Sequence, residues 1–182
     1  MSERLENKER PFVGMKVYFS NSIKGDLGKV EDIGIEVVRF LSENGADVLS
    51  ENVAFLNPDE GLPIFKRRTG IDLTKVRDKD ERARIIRDID ISWVDKATHL
   101  VAIVNGASYG VGMELQRALD KPKMEMNKTP ILCLVHKNSI DKLSSMVRGV
   151  DKDREGSMFD LREYEDIDGA KEIIENFLLR NN

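Results

Sequence analysis

Three short runs, Lys16-Val-Tyr-Phe-Ser20, His99-Leu-Val-Ala-Ile-Val104 and Pro130-Ile-Leu-Cys-Leu-Val135, are apolar with little alternation. A strand that is apolar toward both sides must be covered on both sides, which points to a parallel sheet between two layers of helices. The intervening segments fit. Val30, Ile33, Val37 and Leu41 recur at helical spacing, and that helix stops at Asn44-Gly45, a favoured C-terminal signal. Ala46–Leu49 reads as a second, short strand. A helix follows over Asp80–Lys96, with Ile86, Ile89 and Trp93 as its apolar stripe. Another leads away from Leu115-Gln-Arg-Ala-Leu119, and Ser139–Val147 is read as a further one. Met158–Tyr164 is the fifth strand, and Ala170, Ile173, Ile174, Phe177 and Leu178 line a final helix. The expected class is α/β: a five-stranded parallel sheet with helices on both faces.

The 182 residues suffice for one domain with a full core. Residues 1–11 are charged and read as a flexible tail before a single domain over 12–182. Residues 55–75 contain two prolines, two glycines and Lys66-Arg-Arg68, so a mobile loop, extending as a lid over 55–80, is expected at one end of the fold. Lys66-Arg-Arg68 is read as a solvated cluster. A net charge of −4 with both signs interspersed provides no basic stripe, which argues against a nucleic acid polymer as partner. No apolar stretch approaches the roughly 20 residues of a membrane span, and the charged N-terminus lacks a signal-peptide core, so a cytoplasmic location is expected. The single cysteine, Cys133, lies in an apolar run and reads as a core thiol. Two distant histidines give no metal-ligand spacing, and no metal is expected.

Chemistry concentrates in two loops, after the first and third strands. In a parallel sheet these open beyond the carboxyl ends of the strands, where ligands bind. Asn105-Gly-Ala-Ser-Tyr-Gly-Val-Gly-Met-Glu114 joins strand to helix through small residues whose backbone N–H groups can hold an anion. Ser20-Asn-Ser-Ile-Lys-Gly25 offers hydroxyls, an amide, a cation and a glycine, but is not the GxGxxG of dinucleotide folds. Glu51 imitates the ribose-binding acid of such folds only weakly. Asp90 shares a helix face with Ile86 and Trp93, so its carboxyl group either escapes to solvent or has a raised pKa and can donate a proton. Glu114 is placed in the first turn of its helix, where the dipole keeps it ionised as a nucleophile requires. Two carboxyl groups in different protonation states are what cleavage of a glycosidic bond needs. Tyr18, on the first strand, reads by default as a core tyrosine, and its hydroxyl is the alternative means of orienting one of them.

These residues fall in blocks: Tyr18-Phe-Ser-Asn-Ser-Ile-Lys-Gly25, Ser50-Glu-Asn-Val-Ala54, Asp90-Ile-Ser-Trp93, Ser108-Tyr-Gly-Val-Gly-Met-Glu-Leu115, Ile131-Leu-Cys-Leu134 and Leu143-Ser-Ser-Met-Val-Arg-Gly149. In this order they resemble the 2′-deoxynucleoside 5′-monophosphate N-glycosidases (N-hydrolases), relatives of the nucleoside 2-deoxyribosyltransferases. The resemblance implies a Rossmann-like, flavodoxin-like domain that hydrolyses the bond between base and sugar without a cofactor, through a glycosyl-enzyme intermediate. It implies Glu114 as nucleophile, Asp90 as the acid that protonates the departing base, and Tyr18 as the residue that positions Glu114. The substrate site it implies contains Ser20, Asn21, Ser22, Ile23, Lys24, Gly25, Ser108, Gly110 and Gly112. In the family a serine at the position of Ser144 comes from a neighbouring subunit, which implies a homodimer, with Met146 beside it at the substrate. Asn21 stands where the family often has glycine, Tyr109 where leucine is usual, and Gln116 where glycine is common. Asn21 leaves the choice between deoxyribose and ribose open, and the longer 55–85 segment leaves base preference open. A nucleoside deoxyribosyltransferase and a non-catalytic nucleotide-binding module are the alternatives.

Overall fold

The computed structural model describes residues 10–21, 33–55, 57–150 and 158–182. Five strands form one all-parallel sheet in the order β2-β1-β3-β4-β5. They are β1 (Lys16–Asn21), β2 (Asp47–Val48), β3 (His99–Ile103), β4 (Ile131–His136) and β5 (Phe159–Tyr164). The helices are α1 (Ile33–Glu43), α2 (Pro58–Thr69), α3 (Lys79–Lys96), α4 (Tyr109–Asp120), α5 (Ser145–Arg148) and α6 (Ile167–Arg180). Among the described residues no helix is long and apolar enough to cross a membrane.

The core lies in two layers, one on each side of the sheet, as the unalternating strands require. Val17, Phe19, Val101, Ile103, Leu132 and Leu134 pack under α1 and α6. Their chain neighbours Tyr18, Leu100, Ala102, Ile131 and Cys133 point the other way, under α3 and α4. Cys133 is fully buried, and burial pushes its thiol pKa far up, so it serves as core. Strand order reverses between β1 and β3, and their carboxyl ends therefore diverge to leave a crevice.

Three local expectations differ from the structure. The segment expected to be a mobile loop or lid over 55–80 contains helix α2 and a 3-10 turn, Leu73–Lys75. The residues read as breakers are its boundaries. Asn57 caps the N-terminus by accepting from Asp59 N at 3.1 Å, Pro58 opens the first turn, and Gly70 closes the helix with φ +76°. The three basic residues of α2 are ion-paired: Lys66 with Asp72 at 2.8 Å, Arg67 with Glu51 at 3.0 Å, and Arg68 with Asp47. Glu51 is therefore engaged with Arg67. The helix expected over Ser139–Val147 is split into a 3-10 turn, Lys137–Lys142, and the short α5. Leu143 is extended, and the Ser144 hydroxyl restarts the helix by accepting from Met146 N at 3.3 Å. The tail is anchored by its end: Phe12 is fully buried, Phe12 N donates to Asn44 O at 2.9 Å, and Arg10 donates to Ser42 O at 3.2 Å. Residues 1–9 lie outside the described residues.

Candidate active site

The crevice holds a cavity of about 610 Å³, the size range of small-molecule sites, bordered by the end of β1, the loop after β3 and helices α2, α3 and α4. Two buried side chains fix the segments around it. Ser50 is fully buried; its hydroxyl accepts from Phe19 N at 2.9 Å and donates to Phe19 O at 2.6 Å. That ties the 3-10 turn Glu51–Ala54 to β1. Asn105 accepts from His136 N at 2.6 Å and donates to the Tyr164 hydroxyl at 2.6 Å, which holds the loop after β3 against β4 and β5.

Asp90 and Glu114 reach this cavity from different helices, α3 and α4. The Oδ1 atom of Asp90 is buried without a hydrogen-bond partner. Burial, joined by the charge of Glu114, raises its pKa to about 7. The raised-pKa alternative for Asp90 is the one the structure supports.

Glu114 needs a correction. It is the sixth residue of α4, beyond the first turn, and the dipole effect fades within that turn. Burial raises its pKa, and what opposes burial is hydrogen bonding from β1. Ser20 donates its hydroxyl to Glu114 Oε2, and the Tyr18 hydroxyl stabilises the same carboxylate. Tyr18 is fully buried, with no well-aligned hydrogen bond of its own; burial and the two carboxylates hold its pKa far above the ordinary value. Tyr18 and Ser20 are two residues apart on one strand and so share the face beneath α4. Two hydroxyls on β1 thus counter the effect of burial on Glu114, while no such donor counters it on Asp90. A charge on Glu114 is a second cause, after burial, that holds the proton on Asp90.

At the opposite end of the cavity, Ser108 caps α4 by accepting from Val111 N at 3.3 Å. Tyr109 and Gly110 border the cavity at the start of α4, where the first N–H groups of a helix have no acceptor within it. Asn21 also borders the cavity. Gly112 does not: it is exposed on the outer side of α4, where a Cβ would meet nothing within 4 Å. Ser144 and Met146 are exposed on α5 and do not border this protomer's cavity, Met146 being 82% exposed. Ser22, Ile23, Lys24 and Gly25 lie outside the described residues. Among the described residues, no group of three or more His, Cys, Asp or Glu side chains is arranged to hold a metal ion.

The wall away from Ser108 is not legible in the sequence as part of a site. The 3-10 turn supplies Asn52, α2 supplies Pro58, Leu62 and Phe65, and α3 supplies Arg82 and Ile86. Phe65 packs edge-on against Trp93, ring centroids 5.9 Å apart, and closes the slot from behind. The available signal is periodicity: Arg82, Ile86 and Asp90 are spaced four residues apart on one helix face.

No protein-family model matches the chain. Relatives do. A 5-hydroxymethyl-dUMP N-hydrolase of Tetraodon nigroviridis is 33% identical over 163 residues, 90% of this chain and 96% of the relative. The protein of the same name from Mus musculus is 34% identical over 170 residues, 92% of this chain and 80% of the relative. A protein of Thermofilum pendens, whose name places it among the 2′-deoxynucleoside 5′-phosphate N-hydrolases, is 28% identical over 90% of this chain and 95% of its own length. Among solved structures, the CMP N-glycosidase of Clostridium botulinum superposes with a TM-score of 0.52 at 17% identity, covering 89% of this chain and 98% of that one, which establishes a shared fold. By fold, by cavity and by similarity along nearly its whole length, the chain belongs to the nucleoside 5′-phosphate N-hydrolase family.

Proposed function

We propose that this enzyme hydrolyses the N-glycosidic bond of nucleoside 5′-monophosphates, with Glu114 as nucleophile and Asp90 as acid and base. One observation carries the assignment of roles: two carboxyl groups share a cavity, and only one has hydroxyl donors. The ionised Glu114 attacks C1′ of the sugar. The C1′–N bond breaks, its electron pair leaves with the base, and the proton on Asp90 goes to that base. The product is an ester between Glu114 and the sugar. Asp90, now a carboxylate, takes a proton from water as the water oxygen attacks C1′. Free sugar 5-phosphate departs, Glu114 is ionised again and Asp90 is protonated again. The Tyr18 and Ser20 hydroxyls position the nucleophile. Ser108 and the free N–H groups at the start of α4 receive the phosphate.

The proposal includes a homodimer in which α5 of one protomer completes the phosphate site of the other through Ser144. Exposed Tyr109, Met113 and Met146 supply the apolar surface such an interface needs. Base release from a panel of nucleoside and deoxynucleoside monophosphates, read by chromatography, tests the activity. Glu114→Gln is expected to abolish release with the fold intact. Unreduced turnover in that variant, or no base from any nucleotide with the wild type, would refute the assignment. Sedimentation of the intact protein tests the dimer.

A further inference from the structure

We infer that Arg82 determines base specificity, and that the slot beyond Asp90 takes a base with a carbonyl oxygen on its far edge. The inference rests on the monophosphate reading above, because it uses the same cavity. Its far half is walled by Leu62, Phe65, Leu73 and Ile86, an apolar surface suited to the flat faces of a base. Two polar groups interrupt that surface. The amide oxygen of Asn52 is buried with no hydrogen-bond partner, and its residue borders the cavity. Arg82 borders it too, half-buried, and its guanidinium has no ion pair among the described residues. The neighbouring basic residues of α2 are each paired with a carboxylate, which sets Arg82 apart.

Position defines what Arg82 can read. It lies two helical turns before Asp90 on the same face of α3, about 12 Å along the axis. With Asp90 at the bond between base and sugar, and both side chains leaning into the slot, the guanidinium meets the edge of the base farthest from the sugar. A guanidinium has hydrogen-bond donors only, so it needs an acceptor there. Uracil-type bases and 6-oxopurines present a carbonyl oxygen at that edge. Cytosine and adenine present an amino group, which sets donor against donor and leaves the half-buried guanidinium without an acceptor on the base. Asn52 is suited to the ring N–H beside the carbonyl. Its amide can serve either kind of neighbour by turning over, so the discrimination falls to Arg82. A second effect favours the same bases. Charge developing on the departing base spreads onto its carbonyl oxygens, and a cation beside one of them stabilises it.

The test compares UMP with CMP and IMP with AMP. Base release reports kcat/KM in the wild-type enzyme, and calorimetric binding reports affinity in the Glu114→Gln protein. Both are repeated with Arg82→Ala and Arg82→Gln, the amide of the latter being able to donate or accept. The expected result is a preference of about 10- to 100-fold for the oxo member of each pair, the range for a hydrogen bond to a charged group. Both Arg82 variants should erase most of it, mainly by loss on UMP and IMP. Selectivity confined to the pyrimidine pair or to the purine pair supports the assignment and identifies the ring system. A wild type without preference, a preference that survives Arg82→Ala, or an equal loss on all four nucleotides overturns it. Selective, Arg82-dependent binding with no base released by the wild type would refute the hydrolase reading and leave this one standing.

Discussion

Replacing Asp90 by asparagine should stabilise the folded protein at neutral pH and add nothing in acid. The pKa of Asp90 rises from an ordinary 3.8 to about 7, first because it is buried and then because Glu114 is charged nearby. A carboxyl group whose folded-state pKa lies above its unfolded value favours the folded state fully below pH 4. That contribution is lost as pH climbs toward 7, because the unfolded chain releases the proton first and the folded chain must hold it or bury a charge. The wild-type unfolding free energy should therefore fall by up to about 1.4 kcal/mol per pH unit from this group between pH 4 and 7. Over the full shift of roughly three units that reaches about 4 kcal/mol, and partial solvation of the side chain reduces it to about 2–4 kcal/mol. The Asp90→Asn side chain has no such titration, and other carboxylates cancel in the difference between variant and wild type. Urea unfolding at pH 4, 5, 6, 7 and 8 measures that difference. It should grow by about 2–4 kcal/mol across the range and flatten above pH 7, with an unchanged dependence on urea. The same variant should lose about 10²–10⁴-fold in base release, so stability and activity move in opposite directions. A difference that stays flat from pH 4 to 8 would show that Asp90 titrates as an ordinary carboxylate, and the account of the acid would fail.

Removing a hydroxyl from beneath Glu114 should act on the nucleophile's ionisation. Ser20→Ala deletes the bond that Ser20 donates to Glu114 Oε2, so the acidic limb of the kcat/KM profile should move to higher pH, while at high pH the loss is smaller. A uniform loss with an unmoved limb would refute this role. Gly61→Ala tests how α2 is seated: a Cβ there would lie 2.3 Å from the Asn52 carbonyl oxygen, so helix and turn must separate. The expected cost is about 1–3 kcal/mol of stability together with a raised KM, and a neutral substitution would show that α2 packs elsewhere.

Sequence and structure agree most where burial decides. The sheet is readable because a strand covered on both faces, such as β4, has no freedom to alternate. Asp90 is readable because helical spacing places it between Ile86 and Trp93, and a carboxyl group on that face can keep a proton. Helix α2 is not, because prolines and glycines ordinarily break helices, whereas here Pro58 and Gly70 mark its ends and Gly61 permits contact with the turn at Asn52. Those are tertiary uses of residue types whose local preference is irregular. For Glu114 the dipole argument fails, because helix boundaries shift by a residue or two and that argument is sensitive to the shift. Its partner Ser20 comes from a strand 94 residues away, and local sequence carries no sign of that pairing.

The difference between the two carboxyl groups follows from how the sheet is built. Both are pushed toward the protonated form by burial in one cavity, so burial cannot tell them apart. Both helices cover the same face of the sheet, and what separates the two groups is which side chains each one meets there. Helix α4 follows β3 and passes beside β1, where alternate residues Tyr18 and Ser20 project toward Glu114. Asp90 projects from α3 into the cavity, whose lining includes Ile86, Leu62 and Phe65. The strand thus supplies polar hydrogens to one carboxyl group, and helix α2 contributes hydrocarbon to the cavity that holds the other. Changing the hydroxyls should convert the pair toward two protonated acids, and opening the apolar wall should convert it toward two carboxylates. Either change removes the difference on which donation of a proton and attack by a carboxylate depend, without touching Asp90 or Glu114 itself.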